Sequence, residues 1–174
     1  NRIAVIGEWG SGQMAALLAT RVSKRSGAQG RRRIALEEVF ENDPNAEFAA
    51  AVSLYGVYDF EAMTGELTPR SIPSRLFGIT VLDNEARATL RRYSPLRHAR
   101  ENMIPLLLVC GTKDGLFAQH NAFAKELDKA GADFDAITLE GAPHGMENWE
   151  GRPEWMDYKT KLVEWLKGKL ATRK

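Results

Sequence analysis

The chain has 174 residues, 44% hydrophobic and 27% charged, enough for one domain with a sizeable core. Lys and Arg total 24 against 23 Asp and Glu, and this near-balance excludes the bulk field expected of a binder of nucleic acid or anionic membrane. The one cysteine, Cys110, excludes an intrachain disulfide framework and a cysteine-based zinc site, and no apolar run approaches the ~18 residues of a membrane-spanning helix.

In chain order, residues 3–6 (Ile-Ala-Val-Ile) form a short apolar run before Gly7 and read as a buried strand. The stretch from Val5 to Ala19, VIGEWGSGQMAALLA, has the grammar of a strand, a tight glycine-rich turn and a helix. Met14, Leu17, Leu18 and Val22 make a helical stripe over residues 12–24. Residues 26–46 are polar and loop-like, with room for one helical turn over residues 34–40, and the basic run Arg31-Arg32-Arg33 reads there as a solvated loop. Residues 49–55 are a second strand. Residues 59–104 have weak periodicity and several prolines, and read as short helices and loops inserted as a cap or lid. Residues 105–110 are a third strand, in which Cys110 is a small buried hydrophobe. A helix over 118–130 carries Phe123, Leu127 and Ala130 on one face and stops at Gly131. A fourth strand covers 134–139. A last helix covers 153–170, with Pro153 near its start and Trp155, Tyr158, Leu162 and Trp165 on one stripe. Strands alternating with helices imply an α/β fold, a mostly parallel sheet with flanking helices. The chain opens on Asn1-Arg2 directly before a strand, without Met, so its start reads as cut; with no signal peptide visible, the expected location is cytoplasmic.

Polar signals stand at the ends of the last two strands: Gly111-Thr112-Lys113-Asp114, and Gly141-Ala142-Pro143-His144-Gly145. In open parallel sheets, functional groups gather outside the carboxyl ends of strands, where the turn at 7–12 also lies. An Asp there can hold an imidazole in one tautomer, and the imidazole can act as general base near neutral pH. His98 and His120 have no motif partners and read as surface or helix histidines. Trp149, Trp155 and Trp165 read as core and helix-packing residues, with a pocket wall as the alternative for Trp149. The turn at 7–12 matches neither a phosphate loop nor a dinucleotide fingerprint, and Asp59, Asp114, Glu140 and His144 lack the spacing of a metal site. No cofactor and no metal is expected.

The order of a glycine elbow, then GTKD, then APHG resembles the catalytic half of an α/β-hydrolase, particularly the carboxylesterase and lipase branch. Residues 52–59 (VSLYGVYD), 93–96 (YSPL) and 139–145 (LEGAPHG) are similar to the same branch. The resemblance covers essentially the whole chain. It implies a partial α/β-hydrolase fold with a small cap insertion at 59–104. It also implies ester hydrolysis through an acyl-enzyme, His144 as base and acid, Asp114 as its orienting acid, and the Gly10 N–H as an oxyanion donor.

The resemblance fails at the elbow. Matching the helix to the family's G-x-S-x-G pattern places Trp9 where the nucleophile belongs, with Gly7 two residues before it and Ser11 two residues after it. Ser11 could serve as nucleophile only if the turn were rebuilt. In the family the elbow strand is the fifth of eight, so a single 1–174 domain of this type lacks the earlier strands and the loop that gives half of the oxyanion hole. Such a loss costs about 2.7–4 kcal/mol of transition-state stabilisation per donor. The sequence therefore leaves three readings open: an impaired or inactive esterase-like protein, a non-catalytic binding or assembly module, and a truncated esterase. The expected partners are a small ester, if the chain is active, and either a second copy or a preceding segment that pairs with the strand at 3–6.

Overall fold

Four strands form one parallel sheet in the order β1-β2-β3-β4, in a computed structural model that describes residues 3–22, 48–65 and 67–171. They are β1 (Ile3–Glu8), β2 (Phe48–Leu54), β3 (Leu106–Gly111) and β4 (Phe134–Leu139). The helices are α1 (Trp9–Arg21), α2 (Ile72–Phe77), α3 (Asn84–Tyr93), α4 (Phe117–Lys129) and α5 (Asp157–Leu170). Val5 pairs with Ala51, Ala51 with Leu106 and Leu106 with Phe134, so all three ladders run parallel.

The central strands are apolar on both sides because helices cover both faces of the sheet. On one face, Ala16 and Ala19 of α1 and Phe123 and Leu127 of α4 pack on Ala51, Leu106 and Leu108. The small alanines let α1 lie close to the sheet. On the other face, Val52, Leu54, Leu107, Val109 and Leu139 meet Trp149, Tyr158, Leu162 and Trp165. Cys110 is fully buried there, and burial pushes its thiol up to about 12, so it behaves as a small apolar group.

Residues 59–104 hold α2 and α3 between two 3₁₀ turns, Glu61–Met63 and Pro95–His98. This segment has an apolar cluster of its own, Phe60, Ile79, Ala86 and Leu90 with Val57. Glu61 ties its ends together by accepting from Arg91 and Arg97, both at 3.0 Å. Leu96 N–H donates to the Tyr58 carbonyl at 3.1 Å, which anchors the segment's exit beside β2.

β1, an interior strand in the family that the chain resembles and expected here to leave one edge bare, is an edge strand among the described residues. Its register places Ile6 beside Val52, on the α5 face of the sheet, yet Ile6 is 53% exposed because α5 packs over the strands beyond it. Ile3, Trp9 and Met14 are also exposed. Two helix boundaries differ from the pattern. α1 begins at Trp9, three residues before the apolar stripe, because Gly10 and Gly12 enter the helix despite their low propensity. α5 begins at Asp157, because residues 152–158 first make tight turns such as Trp155 N–H to the Arg152 carbonyl at 3.0 Å. The polar stretch 26–46, with Arg31-Arg32-Arg33 and the turn at 34–40, lies outside the described residues. Among the described residues, no helix is long and apolar enough to cross a membrane.

Candidate active site at the strand ends

The last paired residues of β1 and β2 are Glu8 and Leu54. The next residue of each strand is left-handed: Trp9 has φ +45° and Tyr55 φ +38°. They are the two non-glycine residues with positive φ among the described residues, a state that costs of order 1–3 kcal/mol each. At Trp9 the chain passes from strand into helix without a loop. The turn is so tight that a Cβ on Gly7 would lie 2.1 Å from the Ser11 carbonyl oxygen. One on Gly12 would lie 2.7 Å from the Leu54 carbonyl oxygen. The register of the elbow follows: Trp9 occupies the tip, with its side chain 48% exposed.

Ser11 lies in the first turn of α1, and its hydroxyl is engaged locally. Its Oγ donates to the Glu8 carbonyl at 2.8 Å and accepts from the Glu8 N–H at 3.1 Å. These bonds go to Glu8, the residue that caps the helix, rather than to His144 or Asp114.

Asp114 and His144 are brought together. Asp114 follows β3 and is buried; its Oδ1 accepts the Leu116 N–H at 2.8 Å. Its Oδ2 lies 2.7 Å from His144 Nδ1. A carboxylate can only accept, so Nδ1 carries the hydrogen and Nε2 is left as the basic nitrogen. The two loops are laced to each other: Lys113 N–H donates to the Ala142 carbonyl at 3.0 Å, and Gly141 N–H to Thr112 Oγ1 at 2.8 Å. Trp149 is fully buried and donates Nε1–H to the Pro143 carbonyl at 2.8 Å, so it supports the histidine loop from the core.

Three features were not legible in the motifs. Tyr55 packs its ring edge on His144, with centroids 4.9 Å apart and planes at 67°. Its Oη donates to the Glu8 carboxylate and accepts the Met146 N–H at 3.1 Å. Burial, reinforced by Glu8, pushes the phenol well above its ordinary value, so it remains a donor. Ser53 Oγ donates to the Gly12 carbonyl at 2.7 Å and lies 2.8 Å from Tyr58 Oη, which fixes the elbow to β2. His120 sits on α4, as a helix histidine should, but is buried at 1% exposure and stacks on Phe117 at 5.8 Å. Its Nδ1 has no hydrogen-bond partner, and burial holds the imidazole down at about 4. His98 lies in the 3₁₀ turn at Pro95–His98, with Nε2 2.9 Å from the Arg92 carbonyl. Among the described residues, no group of three or more His, Cys, Asp or Glu side chains is arranged to hold a metal.

A parallel sheet with a strained elbow after one strand, and an Asp and a His meeting beyond two others, defines an esterase-like α/β-hydrolase fold. The chain belongs to the prolyl oligopeptidase family, whose sequence profile matches residues 39–172 and so leaves β1 and α1 outside the match. No curated protein sequence matches the chain. Its fold is similar to that of a Thermogutta terrifontis esterase phosphorylated by paraoxon, with a TM-score of 0.58 and 22% identity over 98% of this chain and 56% of that one. A truncated carbohydrate esterase from gut microbiota is similar at a TM-score of 0.68 and 17% identity, over 94% of this chain and 59% of that one. Esterase B from Lactobacillus rhamnosis is similar at 0.68 and 16%, over 95% and 52%. The chain thus spans a little over half the length of these structures.

Proposed function

We propose that this chain is the acid-and-base-bearing part of a carboxylic-ester hydrolase in which the covalent step is lost. The observation that carries this reading is the left-handed Trp9 at the elbow tip. Covalent attack needs an oxygen about 3 Å from the base and close to the oxyanion donors, and the elbow aims one residue at that place. An indole has no such atom, and the Ser11 hydroxyl is tied to the Glu8 backbone. In this reading Asp114 orients His144, and His144 Nε2 moves the proton. The Gly10 N–H, at the start of α1, is one oxyanion donor. A small ester is the substrate class, residues 59–104 are the cap over it, and the location is cytoplasmic. A second copy pairs with β1 edge to edge, which would cover the exposed Ile3 and Ile6.

A second reading is a non-catalytic binding module, favoured by the exposure of the apolar side chains Ile6, Trp9 and Met14. The two readings separate in turnover of short-chain aryl esters. The lost-nucleophile reading expects negligible turnover by the native chain, and a partial gain in Trp9→Ser that disappears again with His144→Ala. Robust native turnover abolished by Ser11→Ala would overturn it. No His144-dependent gain in a folded Trp9→Ser would favour the binding module.

A further inference from the structure

The elbow follows β1 and the histidine loop follows β4, at opposite ends of the sheet order. No ladder joins β1 directly to β4, and two strands separate the elbow from the histidine loop. The bond to Asp114 fixes where Nδ1 sits, yet a single hydrogen bond leaves the imidazole free to pivot about it. The histidine loop is held to the Asp114 loop and to the core, and a further constraint, on the elbow side, comes from a residue that lies between the two loops.

We infer that Tyr55, bridging Glu8 of the elbow and Met146 of the histidine loop, is the positioning residue that fixes the orientation of His144. Tyr55 has its ring held from two directions. Trp149 packs against it at 5.2 Å and 87°, and His144 at 4.9 Å and 67°. Its hydroxyl accepts the N–H of Met146, two residues past His144, and donates to the carboxylate of Glu8, the residue before the tip. The contacts run elbow, Glu8, Tyr55, Met146, His144, without a break.

The left-handed φ of Tyr55 fits this role. β2 could continue in extended conformation past Leu54, but the strained turn redirects the ring toward the strand ends. Trp9 and Tyr55 adopt the same unusual backbone immediately after one paired register, so the two strained residues lie side by side. Tyr55 is 2% exposed, which excludes a role as a surface ligand-binding group. The hydroxyl has both a donor and an acceptor partner, and replacing the ring by Phe would keep the packing and remove only the bridge.

The inference rests on the proposed role of His144 and Asp114, and it can fail separately. The test is proton NMR of the ¹⁵N-histidine-labelled chain, following the His144 Nδ1–H and its exchange with water. A slowly exchanging, downfield Nδ1–H that vanishes in Asp114→Ala is expected of the native chain. Its absence would remove the His144–Asp114 reading itself, and this inference with it. In Tyr55→Phe the exchange should quicken at least tenfold, with unchanged circular dichroism. In the Trp9→Ser background the same change should lower kcat about tenfold and leave KM within twofold. Native-like exchange in a folded Tyr55→Phe would show that the ring only fills space, and would overturn the inference. Glu8→Gln keeps Tyr55 in place and weakens its anchor. If Tyr55→Phe does not fold, faster exchange in Glu8→Gln upholds the inference and unchanged exchange overturns it.

Discussion

Acidification should destabilise this fold through His120, a residue outside the candidate site. Its imidazole is buried beside the rings of Phe117 and Tyr58, and Nδ1 finds no partner. Burial disfavours the charged form and holds it at about 4 against 6.5 unfolded, even though the charge of Asp114 pulls the other way. The folded state thus binds fewer protons than the unfolded chain. The stabilisation is fully present above 6.5 and is lost as pH falls toward 4. A gap of this size corresponds to about 3 kcal/mol, of which about 2 kcal/mol is gone at pH 5. That is a large share of the 5–15 kcal/mol typical of a domain. Urea unfolding followed by tryptophan fluorescence at pH 7, 6, 5 and 4.5 measures it in the native chain and in His120→Phe. Carboxylates shared by both chains cancel in the difference. The native chain should lose about 2 kcal/mol more than the variant between pH 7 and 5, with equal m-values. Parallel pH profiles would refute the reasoning, because they would mean that His120 takes up its proton as readily folded as unfolded.

Two glycines of the elbow should behave oppositely. Gly7→Ala places a Cβ against the Ser11 backbone and should cost about 3 kcal/mol or more in thermal or urea unfolding. Gly10→Ala meets nothing within 4 Å and should gain about 0.5–1 kcal/mol from helix propensity. At the sheet edge, Ile6→Lys should convert a concentration-dependent dimer into a monomer in sedimentation equilibrium, with the fold unchanged. A native chain that is already monomeric at high concentration would remove the edge-pairing proposal.

What was legible in the sequence was what local chemistry encodes. The strand at 134–139 matches its reading because alternating residues bounded by loops leave little choice, and the Asp114–His144 pair was legible because each stands in a short motif just past a strand. The elbow was legible in register but not in extent, since Gly12, which looks like a loop residue, is needed inside α1 for close approach to Leu54. Glu8 and Tyr55 are 47 residues apart, and only the β1–β2 register brings them together. His120 read as a surface or helix histidine for want of a motif, and it is a buried one. Its spacing of three from Phe123 and seven from Leu127 places it on the buried stripe of α4, a signal that was present and outweighed by its polarity. The bare edge of β1 was legible through the resemblance, because the strands that would flank it precede the elbow strand in the family.

The central claim is that the elbow presents Trp9 and nothing that can attack. Its most direct test is exposure of the native chain to a fluorophosphonate probe, followed by intact mass and peptide mapping. The native chain should carry no adduct, on Ser11 or elsewhere, after incubation that saturates a serine esterase control. A stoichiometric adduct on Ser11, lost in Ser11→Ala and in His144→Ala, would contradict it and move the nucleophile two residues along the turn.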